Sequence, residues 1–109
     1  MSEENSNTLN PARELTGKQR RHLRALAHHL DPVVLVGSAG TSEAVAEKLR
    51  FELEHHELVK VRFPESEVKE NAPALAASVG AHLVQTIGRI AVLYRRRDKK
   101  PTIQLPQAT

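Results

Sequence analysis

The sequence of 109 residues contains no cysteine and no tryptophan, and it has only two phenylalanines and one tyrosine. Without cysteine, disulfides, thiol nucleophiles and thiolate metal sites are excluded. The apolar runs are only a few residues long, whereas a helix that spans a bilayer needs about 20 apolar residues. The N-terminal residues lack the basic and apolar regions of a secretory signal. These absences lead us to expect a cytoplasmic protein.

The length and composition predict one ordinary globular domain. Hydrophobic residues make up 39% of the chain and charged residues 27%, which is close to average globular usage. Residues 1–14 are polar and net acidic, so we expect a flexible N-terminal tail. We expect a folded domain over residues 15–106 and a loose C-terminus at 107–109.

Charge is unevenly distributed along the chain. The formal net charge is +3, yet residues 43–70 are net acidic and separate two basic blocks at 18–24 and 89–100. Basic blocks confined to parts of a chain are typical of a protein that meets a polyanion through selected surfaces. The alternative is that both blocks are simply solvated faces.

Three helices are predicted by apolar spacing and capping residues. Thr16 and Gln19 have the spacing of a capping box, and four apolar residues then recur at helical intervals, at Leu23, Leu26, Ala27 and Leu30. A second helix follows an N-cap at Thr41 or Ser42 and carries Val45, Leu49 and Leu53. The third is alanine-rich and ends at Gly80. Because proline is tolerated in a first turn, Pro73 predicts that this helix begins near Asn71.

Four strands are predicted between and after these helices. The apolar run 33–36 indicates a central strand that is buried on both faces. The alternation over 58–63 places Lys60 and Arg62 on a partly exposed, basic face. Segments 82–87 and 90–95 flank Gly88-Arg89, a link typical of a hairpin. The resulting order is α-β-α-β-α-β-β, with Ile103 and Leu105 suggesting a further short edge strand.

Metal binding and catalysis are the alternatives to a polyanion-binding function. His28-His29 and His55-His56 are adjacent pairs at predicted helix ends, and neighbouring helical residues diverge by about 100°, so neither pair offers a convergent ligand set. No nucleophile elbow and no Walker lysine motif is present. We therefore expect no metal, no cofactor, no small-molecule substrate and no enzymatic activity, while a small metal- or nucleotide-dependent enzyme remains the alternative from another class.

The loop Gly37-Ser38-Ala39-Gly40 precedes the second helix and has the G-x-x-G form. Such a loop can hold a nucleic-acid backbone because glycines allow phosphates to approach closely, although an ordinary strand-to-helix turn has the same form. Phe51 and Phe63 are expected in the core, which leaves no aromatic platform for base stacking. Any nucleic-acid binding should therefore depend on phosphates and shape, which suits folded RNA.

Four segments together resemble the CRM-domain, YhbY-like RNA-binding proteins. These are LTGKQRRHLRALA at 15–27, PVVLVGSAG at 32–40, LEHHELVKVR at 53–62 and IGRIAVLYR at 87–95. The resemblance implies an α/β domain with a four-stranded mixed sheet packed by helices, similar to the C-terminal domain of translation initiation factor 3. It also implies a protein that binds ribosomal RNA on large-subunit precursors and assists ribosome assembly. We expect the protein to be a monomer. An alternative role is an RNA module that acts on mature ribosomes or translation factors.

The resemblance and the charge pattern together give a set of candidate RNA-binding residues. The family loop corresponds to Gly37, Ser38, Ala39 and Gly40. Its basic first helix corresponds to Lys18, Arg20, Arg21 and Arg24, and its hairpin tip and strand end correspond to Arg89 and Arg95. The basic strand face and the run after Tyr94 add Lys60, Arg62, Arg96 and Arg97.

Overall fold

A mixed β-sheet with helices on both faces organises the chain. The computed structural model describes residues 14–37, 40–64 and 68–107. The elements are α1 (Gly17–Ala27), β1 (Pro32–Leu35), α2 (Glu43–His56), β2 (Leu58–Arg62), α3 (Val68–Ser78), β3 (His82–Ile87) and β4 (Ile90–Tyr94). This order confirms the predicted fold class. Residues 1–13 of the expected tail at 1–14 lie outside the described residues. No described helix is long and apolar enough to cross a membrane.

The four strands lie in the order β1-β2-β4-β3. β1 pairs parallel with β2, whereas β4 pairs antiparallel with both β2 and β3. The prediction of a central, fully buried first strand is therefore wrong, because β1 forms an edge. Val33 is 41% exposed and Leu35 is 67% exposed. A four-residue apolar run does not distinguish a strand covered on both faces from one that is covered on one face only.

Two apolar clusters lie on opposite faces of the sheet. The larger joins α2 and α3 to the sheet and includes Leu49, Leu53, Val61, Phe63 and Leu93. The smaller joins α1 and the C-terminal segment to the other face, through Leu23, Ala27, Val84, Val92 and Tyr94. We call this second face the α1 face. α1 packs across β2, β3 and β4, so the part of this face that lies over β1 remains open.

α1 begins where the sequence predicts. The Thr16 hydroxyl accepts from the Gln19 backbone N–H at 3.1 Å, and the Gln19 side chain accepts from the Thr16 backbone N–H at 3.1 Å, which completes the capping box. Leu23 and Ala27 are buried as expected, whereas Leu26 is 40% exposed and Leu30 is 38% exposed. The buried stripe of α1 is thus narrower than its apolar spacing indicates.

α3 begins at Val68, ahead of the predicted start near Asn71. Pro73 therefore lies inside the helix, on its exposed side. Proline has no N–H to donate to the carbonyl four residues earlier, and on the exposed side water can hydrate that carbonyl. The predicted end is confirmed, since Gly80 has φ +68° and the Ala81 N–H donates to the Ala76 carbonyl at 2.9 Å. This is the hydrogen-bond pattern of a Schellman cap.

Two further expectations about apolar residues are wrong. Phe51 is 60% exposed on α2, where its ring lies 4.4 Å from the ring of His55, while Phe63 is buried as expected. No strand forms at 103–105 in the described chain. Ile103 and Leu105 are instead half-buried against the smaller cluster, where side-chain packing holds the segment without strand pairing.

Candidate nucleic-acid interface

One edge of the sheet brings together the end of β1, the end of β2 and the β3–β4 turn. The Val36 N–H donates to the Arg62 carbonyl, and the Phe63 N–H donates to the Arg89 carbonyl, both at 2.8 Å. These backbone bonds fix Gly37 beside Arg62 and Arg62 beside the hairpin tip. Arg62 and Arg89 are both exposed. We call this edge the loop edge.

The glycines of the G-x-x-G loop lie at the loop edge. The Gly40 N–H donates to the Gly37 carbonyl at 2.9 Å, and Gly40 has φ +85°, which favours glycine. A Cβ atom at Gly37 would meet nothing within 4 Å, so no described side chain blocks the approach to this backbone. Ser38 and Ala39, which belong to the candidate set, lie outside the described residues. Of the two predicted N-cap candidates, Thr41 and Ser42, it is Ser42 that caps the following α2.

A groove on the α1 face begins beside this edge. Its volume is about 670 Å³. It is bounded by the second half of α1 on one side and by the sheet on the other, and its lining includes Arg21, Arg24, His28, His29, Lys60, Gln85, Ile87 and Val92. Three predicted cations from two distant segments thus share one concave surface. We call it the α1 groove.

Three of the candidate cations have internal hydrogen bonds. The Arg20 guanidinium donates to the carbonyls of Leu83 and Val84, both at 2.7 Å, where the register of β3 shifts. Lys60 Nζ donates to the Leu30 carbonyl at 2.9 Å. Charge-assisted bonds of this kind hold both side chains in place.

Arg95 is the third cation with internal bonds. It donates to the Val79 carbonyl at 3.0 Å and pairs with Glu54 at 2.6 Å, so its charge is neutralised on the side of α2 and α3. The side chains of the other candidate cations make no hydrogen bond or ion pair within the described part of the chain. These are Lys18, Arg21, Arg24, Arg62, Arg89, Arg96 and Arg97.

The unpartnered cations do not form one cluster. Arg21 and Arg24 line the α1 groove, while Arg62 and Arg89 lie at the loop edge. Arg96 and Arg97 follow the other end of β4, roughly 23–26 Å from Arg89 at the rise of an extended strand. The structure therefore brings the loop, the hairpin tip and α1 together, and it places the basic run 95–97 at the opposite end of the sheet.

Three uncharged residues that the sequence analysis did not single out also belong to this surface. Leu35 is 67% exposed and Ile87 is 57% exposed, and both lie on the α1 face in the same cross-strand row as Arg62. Gln85 lies in the next row, beside Val92. The period-two pattern of β3 could have identified Ile87, but the bulge in β3 disrupts that pattern before Gln85.

The histidine pairs lie at helix ends, as predicted. His28 is the C-cap of α1, and His55 and His56 lie in the last turn of α2. His55 Nδ1 lies 2.8 Å from the Phe51 carbonyl, and His56 lies 3.5 Å from Glu52. Within residues 14–37, 40–64 and 68–107, no three His, Asp or Glu side chains converge as metal ligands.

The fold and this surface define a single α/β domain of the CRM class. The chain belongs to the CRS1 / YhbY (CRM) domain family, and the sequence pattern of that family matches residues 15–95. The resemblance seen in the sequence is thereby confirmed.

Relatives in two bacteria cover most of the chain. An "RNA-binding protein" of Haemophilus influenzae is 43% identical over 85% of this chain and 96% of its own length. "Probable RNA-binding protein YqeI" of Bacillus subtilis is 40% identical over 84% of this chain and 99% of its own length.

A solved structure shares the fold. The solution structure of a Staphylococcus aureus protein, whose proposed role is RNA binding, superimposes with a TM-score of 0.74 at 39% identity. The match covers 84% of this chain and 99% of that chain.

Proposed function

We propose that this chain is a non-catalytic RNA-binding protein whose ligand is ribosomal RNA on precursors of the large ribosomal subunit, and that it assists their assembly in the cytoplasm as a monomer. Family membership and the names of the two bacterial relatives support the RNA ligand. The resemblance of the four sequence segments to the CRM-domain, YhbY-like proteins supports the proposal that this RNA belongs to a precursor of the large ribosomal subunit.

One observation carries the proposal: cations without intramolecular partners converge on the loop edge and the α1 groove. Arg62 lies beside the glycine backbone of Gly37, and Arg89 lies on the far side of Arg62, at the hairpin tip. Arg21 and Arg24 add positive charge along α1. Lysine and arginine contacts to phosphates supply most of the affinity of proteins for nucleic acid. Phe51 lies on α2, on the other side of the sheet, and Phe63 and Tyr94 are buried, so no described phenylalanine or tyrosine ring is available for base stacking on this surface.

A charge-reversal pair tests the location of the interface. Arg62→Glu with Arg89→Glu should weaken binding to large-subunit ribosomal RNA fragments at least tenfold, because two phosphate contacts become repulsive. Lys48→Glu with Lys69→Glu is the matched control, since it makes the same charge change on exposed residues of α2 and α3. Equal losses in the two double variants would refute a localised interface.

The identity of the RNA is tested in cells. Crosslinking of the tagged protein, followed by sequencing of the attached RNA, should enrich large-subunit ribosomal RNA together with its precursor spacers. Enrichment of mature ribosomal RNA without spacers would favour action on mature ribosomes. Reads mainly from messenger RNA would refute the ribosomal proposal.

A further inference from the structure

The α1 groove combines cations, an apolar floor and a polar amide. Val92 and Ala27 form its apolar floor, and Ile87 lies at its open side. Its volume of about 670 Å³ is within the range of roughly 300–1,000 Å³ that is typical of pockets for small organic ligands. A flat surface for duplex phosphates would need no such concavity.

Two arginine side chains line one wall of the groove. Arg21 and Arg24 are three residues apart on α1, so their side chains lie on neighbouring turns of the same helix face. Neither has an intramolecular partner in the described residues. A planar guanidinium group can bind a phosphate and can also stack on a nucleobase. A lysine ammonium binds phosphates but does not stack.

The opposite wall presents the amide of Gln85. This side chain is half-buried, and its amide has no hydrogen-bond partner among the described residues. An amide both donates and accepts hydrogen bonds, so it can recognise the edge of a nucleobase. Because this amide is only half-buried and is not committed to a neighbouring group, it is free to pair with a ligand that enters the groove.

The position of Gln85 depends on an irregularity in β3. The register of β3 against β4 shifts between Leu83 and Gln85, and bulges of this kind redirect side chains. The Arg20 guanidinium donates hydrogen bonds to the carbonyls of Leu83 and Val84, at the position of this shift. Arg20 is thus a positioning residue for the wall of the groove.

From these observations we infer that the α1 groove holds one unpaired nucleotide of the RNA, with its base between the arginine wall and Gln85. The ligand class is therefore structured RNA with a bulged or looped-out nucleotide, since extruding a paired base costs a few kcal/mol of unpairing and unstacking that an unpaired base avoids. This inference rests on the proposed RNA-binding function and specifies which RNA that function selects.

Matched duplexes test the inference. One RNA duplex is fully paired, and four others contain a single unpaired A, C, G or U at the same position. At least one bulged duplex should bind on the order of tenfold more tightly than the paired one, which is the scale of one stacked base. Gln85→Leu should reduce this preference to less than threefold without changing the affinity for the paired duplex.

Gln104→Leu, at an exposed position outside the groove, is the matched control and should leave the preference intact. Thermal melting establishes that both variants are folded. If bulged and paired duplexes bind equally to the unaltered protein, or if Gln85→Leu keeps the full preference, the groove assignment is wrong while RNA binding stands. If no duplex binds at low salt, the proposed function itself fails.

Discussion

Glu57 is a fully buried carboxylate that connects the end of α2 to the C-terminal segment. It has φ +60°, a backbone conformation that is costly for a residue other than glycine. Its Oε1 atom accepts from the Thr102 N–H, the Thr102 hydroxyl and the Ile103 N–H, at 2.8–2.9 Å, and Oε2 accepts from the Arg97 N–H at 2.8 Å. These four bonds fix the segment that follows the basic run.

The pKa of Glu57 reflects a competition between burial and these bonds. Burial raises the pKa, but the donors from Arg97, Ile103 and Thr102 outweigh it and hold the pKa below its ordinary value of 4.5. A carboxyl group with a lowered pKa stabilises the fold above its ordinary pKa, and this stabilisation is lost as the pH falls through the lowered value. The C-terminal segment should therefore detach in acid.

Glu57→Gln tests this role. At pH 7 the variant should lose about 2–3 kcal/mol of unfolding free energy, because an amide nitrogen cannot accept the hydrogen bonds that the carboxylate accepts. The gap should narrow as the pH falls below 4.5, where the carboxyl of the unfolded parent takes up a proton, and it should close as the pH passes through the lowered pKa of the folded state. Urea unfolding measures both effects, with the exposed Glu47→Gln as control. A loss that is independent of pH would contradict the assignment.

Tyr94 is buried next to this network. Burial and the charge of Glu57 raise its pKa to about 12. Its hydroxyl has no hydrogen-bond partner among the described residues. Because the folded pKa exceeds the unfolded value near 10, the stabilisation by the protonated phenol is complete below pH 10 and is lost as the pH rises toward 12.

Tyr94→Phe should therefore be at least as stable as the parent at neutral pH, and it should lose less stability between pH 9 and pH 11. The change removes a buried hydroxyl without a protein partner and keeps the ring that stacks on His82. Urea unfolding across this pH range provides the measurement. A loss of more than about 1 kcal/mol at pH 7 would show that the hydroxyl has a stabilising partner.

Among the elements, those with local signals were predictable from the sequence. The capping box of α1, the Gly80 cap of α3 and the Gly88-Arg89 hairpin each depend on residues within a few positions of one another. The exposure of β1 depends on which strands α1 covers, and the segment at 103–105 depends on contacts with Glu57. Neither long-range relation is encoded in apolar spacing.

The same limit applies to the cations on α1. Their spacing predicts a basic helix face, yet Arg20 turns to the β3 carbonyls, whereas its neighbour Arg21 lines the groove. Composition and periodicity identify the candidates. Only the tertiary structure separates the arginine that holds the sheet from the arginine that is available to a ligand.

Substitutions at this adjacent pair should separate stability from binding. Arg20→Gln should cost about 1–3 kcal/mol of unfolding free energy, because two carbonyls at the bulge lose charge-assisted donors. Arg21→Gln should leave stability within about 0.5 kcal/mol of the parent while it weakens RNA binding. Urea unfolding and RNA titration of both variants test the assignment. Equal stability of the two variants would contradict it.

At the scale of the whole molecule, the two faces of the sheet differ in their charges. On α2 and its surroundings, Arg50 pairs with Glu43, Arg95 pairs with Glu54, and Lys48 lies 3.8 Å from Glu52, so each of these cations has an acidic partner. At the loop edge and in the α1 groove, four arginines have no acidic partner in the described residues. Paired charges add little attraction for a polyanion, whereas unpaired charges retain their full effect.

The salt dependence of RNA binding measures how many of these unpaired arginines neutralise a phosphate. Contacts from Arg21, Arg24, Arg62 and Arg89 should give a slope of log K against log salt of about −3 on RNA, because each neutralised phosphate contributes about −0.7 to −0.9. Arg62→Ala with Arg89→Ala should make the slope shallower by about 1.5. Arg96→Ala with Arg97→Ala removes the same charge at the opposite end of the sheet and should change the slope by less than about 0.5. A slope that changes equally in both double variants would extend the RNA contact along the whole length of β4, because only a ligand that reaches both ends of this strand could neutralise both pairs of arginines.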